Sequence, residues 1–308
     1  MNPIFSRTLK ALCTVSLVAL LSACGASSTV EPFKPTRVVG LGDGFNDAAA
    51  TVRETGSTTG TVVGQLAAYF GQSNIVSKAS AGAQVANLAA QITDVVTNDG
   101  GFSSGDLVVI TVGAFDVKAV TNASTAVTNA NAAAQALVTQ VQRLKTAGVK
   151  HILIMPVLEV SRTPWGRANS FDPTATPAAT PSVSWTSTFN EAVLLALNTA
   201  FGGQTPNTVI YANASGVNSL FLTATSLATF SPFTDTGFNG TTHTTPACGV
   251  ATLALNTAFA TAGGCVAGDV GVNTTYTTML FADGIHLTPA GNRWVASYLY
   301  NATAQGWR

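Results

Sequence analysis

Charged residues are scarce in this sequence. Fourteen Lys and Arg side chains balance fourteen Asp and Glu side chains, so the formal net charge is zero. Charged residues make up only 9% of the 308 residues, against about 25% in a typical soluble domain. There is no basic stripe that could neutralise the phosphates of a nucleic acid. We therefore expect no nucleic-acid partner.

Long apolar runs are also missing, apart from residues 11–21 near the N-terminus. A membrane-spanning helix needs roughly 20 apolar residues to cross about 30 Å of hydrocarbon, so this run is too short for one. Arg7 and Lys10 precede it and Leu21-Ser-Ala-Cys24 follows it, which is the pattern of a bacterial lipoprotein export signal rather than of an ordinary signal peptide. We expect residues 1–23 to be removed and Cys24 to carry a lipid.

The residues after Cys24 indicate where such a lipoprotein would reside. Gly25 follows the cysteine at the position where an aspartate could retain the protein in the inner membrane. The outer membrane of a bacterial envelope is therefore the expected location. Residues 24–35 are polar and contain two prolines, and we expect them to tether a folded domain covering residues 36–308.

Only four cysteines and three histidines are present. Cys13 leaves with the export signal and Cys24 would be lipidated, so Cys248 and Cys265 remain as a pair in an oxidising compartment. This context favours a disulfide between them. A metal site is the weaker interpretation, because His243 is the only nearby histidine and no Cys-x-x-Cys spacing occurs. We expect neither a metal nor a cofactor.

Short apolar strands alternate with amphipathic helices along the domain. This alternation predicts a mainly parallel sheet covered by helices on both faces, an α/β fold built as a three-layer α/β/α sandwich. Residues 231–269 interrupt the pattern and read as a loop insertion. The sequence predicts strands at 37–41, 75–79, 107–112, 151–156 and 208–211, and helices at 61–70, 85–96, 126–147, 186–200 and 289–300.

Polar and glycine-rich blocks follow three of the predicted strands directly. Because binding sites in parallel sheets lie beyond the carboxyl ends of the strands, these blocks should meet at one rim. The first block, Gly40-Leu-Gly-Asp-Gly44, is not a dinucleotide loop, since the third glycine of that motif would fall on Phe45.

In order and spacing the blocks resemble those of the GDSL (SGNH) serine esterases and lipases. Gly42-Asp-Gly-Phe-Asn-Asp47 is similar to the family's first block and Ala79-Ser-Ala-Gly-Ala83 to its second. Gly113-Ala-Phe-Asp116 is similar to the third block and Asp283-Gly-Ile-His286 to the last. The resemblance covers roughly residues 36–303 and implies the fold described above.

The resemblance also implies catalytic roles, and two of them fail. The nucleophilic serine would stand at Gly44, which has no side chain. The oxyanion donors would be the backbone amides of Gly44 and Gly82 and an asparagine at the position of Phe115, whose ring donates nothing. His286 keeps the place of the general base and Asp283 that of the residue that orients it.

Each of these residues also has a simpler structural interpretation. Gly44 could be a plain turn glycine, Phe115 a core aromatic, and His286 a structural histidine.

Three functions are compatible with these residues. The protein could be a defective hydrolase that binds an acylated or glycan ligand in the old cleft. It could be a weak esterase, in which His286 activates a water in the void above Gly44 or a recruited serine such as Ser80 acts as nucleophile. It could instead be an envelope scaffold that binds partners through its surface.

Overall fold

A sheet of five parallel strands forms the centre of the protein, in the order β2-β1-β3-β4-β5. This computed structural model describes residues 33–47, 58–120, 122–168, 184–202, 208–212, 214–227, 229–234, 236, 246–247 and 278–307. The strands are β1 Arg37–Gly42, β2 Ile75–Ser77, β3 Asp106–Thr111, β4 His151–Met155 and β5 Val209–Tyr211. Every neighbouring pair is parallel, as the alternation of strands and helices predicts.

The central strands are buried along their length, which explains their apolar sequences. All six residues of β3 are buried, and its Leu-Val-Val-Ile core is the continuous run typical of a parallel strand covered on both faces. At the start of the sheet the Arg37 guanidinium donates to both carboxylate oxygens of Asp106, at 3.2 and 2.5 Å. This pair joins the first residues of β1 and β3 in register.

Helices flank the sheet. Val62–Tyr69 (α1) packs against the C-terminal helix Pro289–Gly306 (α8), and Ala123–Thr146 (α4) packs against Trp185–Phe201 (α6) and Leu88–Asn98 (α2). The remaining helices are Ala114–Lys118 (α3), Pro164–Ala168 (α5) and Ala214–Ala224 (α7). None of the helices in the described part of the chain is long and apolar enough to cross a membrane.

The α/β class with a helix-flanked parallel sheet is confirmed, whereas three helices were not predicted from the sequence. Two of them, α3 and α5, are only five residues long. The third, α7, contains Gly, Ser, Asn and Thr, which have low helix propensity. The predicted export signal, most of the tether and most of the insertion at 231–269 lie outside the described residues.

Candidate functional site

The turn after β1 is held in place by buried side chains. The Gln91 amide donates to the Gly42 carbonyl at 2.8 Å and accepts from the Gly42 amide at 2.6 Å. Asn46 donates to the carbonyls of Leu41 and Val109 and accepts from the Val63 amide. Gly44 is therefore fixed at the carboxyl end of the central strands.

Gly42 is required at the end of β1. Its φ is +109°, and a Cβ there would lie 1.7 Å from the Thr111 carbonyl oxygen of the neighbouring strand. Only glycine combines that conformation with so close an approach between two backbones.

Asp283 and His286 form a buried hydrogen-bonded pair. Asp283 Oδ2 lies 2.8 Å from His286 Nδ1, while Oδ1 accepts from the backbone amides of Ile285 and His286 at 2.7 and 2.5 Å. Burial opposes ionisation of Asp283, but the His286 imidazole and the two amides outweigh it and hold the pKa of Asp283 below its ordinary value. Asp283 thus fixes both the ring and the backbone of His286.

The segment that carries this pair is tied to its neighbours on both sides. The Trp165 amide donates to the Gly284 carbonyl at 2.7 Å. After the histidine, the Thr288 hydroxyl accepts from the Gly291 amide and caps α8, and it donates to the Met279 carbonyl. The backbone on either side of His286 is therefore anchored.

The imidazole of His286 fills the space that a side chain at Gly44 would need. A Cβ built on Gly44 would lie 2.0 Å from His286 Nε2, 2.6 Å from Cδ2 and 3.0 Å from Cε1. Gly44 is not in the left-handed region, so its conformation would accept other residues. What excludes a side chain is the ring, and neither a plain turn glycine nor an empty nucleophile position describes the site.

Two phenyl rings pack around the same imidazole. The ring centroid of Phe45 lies 5.6 Å and that of Phe115 lies 5.8 Å from the centroid of His286. Phe115 is only 6% exposed and His286 only 1%. Phe115 is thus a core aromatic that covers the histidine, at the position where the resemblance implies an oxyanion donor.

Gly82 lies in the turn after β2 with a φ of +78°. The residues directly after the second block are joined to the third block: Gln84 donates to the Phe115 carbonyl at 3.2 Å, and Asp116 accepts from the Val85 amide at 3.1 Å. The structure therefore brings Gly44, Asp283, His286 and Phe115 into one packed cluster. The turn that contains Gly82 is connected to this cluster by the hydrogen bonds to Phe115 and Asp116.

The predicted void above Gly44 is wrong, because the imidazole occupies it. The His286-activated water of the weak-esterase hypothesis therefore has no room at that position. Ser80 is exposed and its backbone amide bonds to the Gly42 carbonyl at 3.0 Å, whereas His286 is buried.

Lys118 and Trp165 belong to this region and were not identified from the sequence. Lys118 Nζ lies 4.4 Å from the Trp165 ring centroid and 5.5 Å from that of Phe115. Burial lowers the pKa of Lys118 to about 8, an effect that Asp283 partly opposes. No motif marks a single lysine on a short helix, so no signal in the sequence could have found it.

A small apolar cavity lies beside the cluster. Its volume is about 20 Å³, which is room for about one water molecule. The residues lining it are Asp43, Phe45, Thr111, Val112, Ala114, Met155, Pro156, Val157, Leu158, Val160, Thr163, Phe221 and Ile285.

Within the described ranges, no group of three or more His, Cys, Asp or Glu side chains could hold a metal ion. The lipidation site Cys24 and the predicted disulfide partners Cys248 and Cys265 lie outside the described residues, so these assignments stay predictions.

Comparison with known proteins gives one strong result. A family model described as GDSL-like Lipase/Acylhydrolase matches residues 38–299. No curated protein matches the sequence.

Among solved structures, a lipase/acylhydrolase from Enterococcus faecalis is 10% identical with a TM-score of 0.44, over 87% of this chain and 95% of that one. The acetyl xylan esterase AlAXEase is 15% identical with a TM-score of 0.46, over 86% of this chain and 98% of that one. These values are too low to carry an argument about activity.

Proposed function

This chain belongs to the GDSL-like lipase/acylhydrolase family, and we propose that it is a non-catalytic member that works by binding rather than by turnover. The observation that carries the proposal is the 2.0 Å approach between His286 Nε2 and the place of a Cβ on Gly44. The missing serine has not left a vacant nucleophile site, because the histidine that would activate it occupies the place of its side chain.

The energetic consequence for catalysis is large. Loss of a triad serine reduces turnover by about 10⁶, and loss of one oxyanion donor by about 10² to 10³, in well-studied proteases. Gly44 and Phe115 remove both contributions. Asp283 and His286 then serve to hold the turn and fill the core at the sheet's carboxyl edge.

An acylated or glycan ligand in the old cleft is the less well supported form of binding. The cavity beside His286 has a volume of about 20 Å³, far below the 300–1,000 Å³ or so of a ligand pocket. Phe45, Phe115 and His286 are all at most 6% exposed. A ligand could enter only if one of these rings moved, so binding through the outer surface is favoured.

The cell envelope is the proposed setting of this function. The lipobox ending at Cys24 and the Gly25 that follows it support an outer-membrane lipoprotein whose domain is held near the membrane by the tether of residues 24–35. A scaffold for envelope partners fits this setting and needs no open cleft.

Ester hydrolysis tests the proposal. Purified wild-type protein and the His286→Ala variant are assayed with p-nitrophenyl acetate and p-nitrophenyl butyrate. We expect both proteins to release p-nitrophenol at the rate of the buffer background. Saturable release by the wild type that His286→Ala abolishes would contradict the proposal and restore the weak-esterase hypothesis.

A further inference from the structure

A second cavity lies beside α3, and neither Phe115 nor His286 lines it. Its volume is about 190 Å³, nearly ten times that of the cavity beside the histidine. It is bounded by α3, by the N-terminal parts of α4 and α6, and by the turn that follows Gly82. The residues that matter here are Asp116, Gln84, Asn129, Val117, Trp185 and Phe189.

Among the described residues that line this cavity, Asp116 supplies the only charge. Its carboxylate oxygens accept from the Val85 amide at 3.1 and 3.4 Å and from the backbone amide of Asp116 itself. A carboxylate has about four acceptor positions, so at least one remains. Within the described part of the chain, no ion pair includes Asp116. Burial raises the pKa of Asp116 to about 6, so at neutral pH most molecules carry a poorly solvated negative charge there.

The other walls are suited to the partner that such a charge would attract. Trp185 and Phe189 provide aromatic surface, which attracts cations as well as apolar groups. Gln84 donates its amide hydrogen to the Phe115 carbonyl at 3.2 Å. Its side-chain oxygen accepts from the Asn87 backbone amide, which leaves one further acceptor position on that oxygen. Exposed Asn129 also lines the cavity and carries a further amide oxygen.

We propose that this cavity binds a small organic cation, a protonated primary amine on a short apolar or aromatic group. The ammonium would donate to Asp116 and to the amide oxygens, and the apolar group would lie against Trp185, Phe189 and Val117. A quaternary ammonium fits less well, because it cannot donate hydrogen bonds. The site lies outside the Asp283–His286 cluster, so the proposal stands or falls independently of the proposed function.

Calorimetric titration with phenethylamine tests the proposal, with 2-phenylethanol as the neutral analogue of the same shape. A charge-assisted hydrogen bond contributes about 1.5–3 kcal/mol, which corresponds to a factor of about 10 or more in affinity. We expect phenethylamine to bind the wild type at pH 7.5 at least about tenfold more tightly than the alcohol. Its N-trimethyl derivative should bind more weakly than the primary amine.

Substitutions assign the binding to this cavity. Asp116→Asn keeps an acceptor for the Val85 amide and should reduce amine affinity by a similar factor. Asp94→Asn removes a carboxylate of α2 that pairs with Lys78, and it should not change the amine affinity. The affinity of the wild type should also fall as the pH drops through about 6. Absence of amine binding, equal affinity for amine and alcohol, or unchanged affinity in Asp116→Asn would overturn the proposal. The comparison of amine and alcohol needs no variant, so it decides the matter even if Asp116→Asn fails to fold.

Discussion

Adding a single methyl group at Gly44 should destabilise the protein through collision with His286. The new Cβ would lie 2.0 Å from Nε2, whereas ordinary contact begins at 3.4 Å. The imidazole cannot simply rotate away, because Asp283 holds Nδ1 at 2.8 Å and Phe45 and Phe115 flank the ring. Overpacking of this kind costs about 1–3 kcal/mol, and occasionally more.

The opposing effect of the substitution is smaller. Replacing glycine by alanine stabilises a compatible site by about 0.4–1 kcal/mol, because the unfolded chain loses freedom. We therefore expect Gly44→Ala to lower the free energy of unfolding by about 1–2 kcal/mol. Urea unfolding at pH 7, followed by circular dichroism, measures this difference.

A double-mutant cycle with Phe115 identifies the cause. Phe115→Ala alone should cost about 3–5 kcal/mol by leaving a cavity, and that cavity gives the imidazole room to move away from Ala at position 44. The two substitutions together should then cost less than their sum by about 0.5–3 kcal/mol. A free energy of unfolding for Gly44→Ala within about 0.5 kcal/mol of the wild type, or strict additivity, would refute the reasoning.

Gly148→Ala is the matched control for this cycle. Gly148 has a φ of +95° and open space where its Cβ would lie, and it precedes β4 at the opposite end of the strand from the site. Gly148→Ala should therefore lower the free energy of unfolding through backbone strain alone. In the double variant with Phe115→Ala, the two changes in the free energy of unfolding should add.

Cys24→Ala should accumulate as unprocessed precursor and incorporate no radiolabelled palmitate; labelling of the variant would refute the lipid anchor. Alkylation of denatured, unreduced protein should leave Cys248 and Cys265 unmodified, and modification of both would exclude the disulfide. Burial raises the pKa of Asp116 from 3.8 to about 6, so folding favours the protonated form and stability is lost as the pH rises between those values. Relative to the wild type, Asp116→Asn should therefore gain about 2 kcal/mol between pH 4 and pH 7, and a constant difference in urea unfolding would contradict this.

The elements that could be predicted are those whose signal is local. The continuous apolar run of β3 and the periodic faces of α4 and α6 are properties of short windows, and their strand or helix type is confirmed. Thr288 and Pro289 likewise mark the start of α8, where Thr288 is the N-cap. The short helices α3 and α5 carry too few residues for a periodic pattern.

The motif blocks predicted which residues form the site but not how their side chains pack. Asp283 and His286 are three residues apart, so their hydrogen bond follows from one turn of chain. The approach of His286 to Gly44 joins residues separated by most of the sequence, and it depends on which rotamers Phe45, Phe115 and His286 adopt together. No pattern in the sequence specifies those rotamers, which is why a void was expected where a ring lies.

The most direct test of the central claim is reaction of the wild-type protein with a fluorophosphonate probe, followed by mass spectrometry of the digested protein. Such probes require an activated serine. Because Gly44 has no hydroxyl and His286 fills the place where one would lie, we predict no labelled peptide. Stoichiometric labelling of a serine such as Ser80, abolished by His286→Ala, would show that His286 activates a recruited nucleophile and would contradict the account.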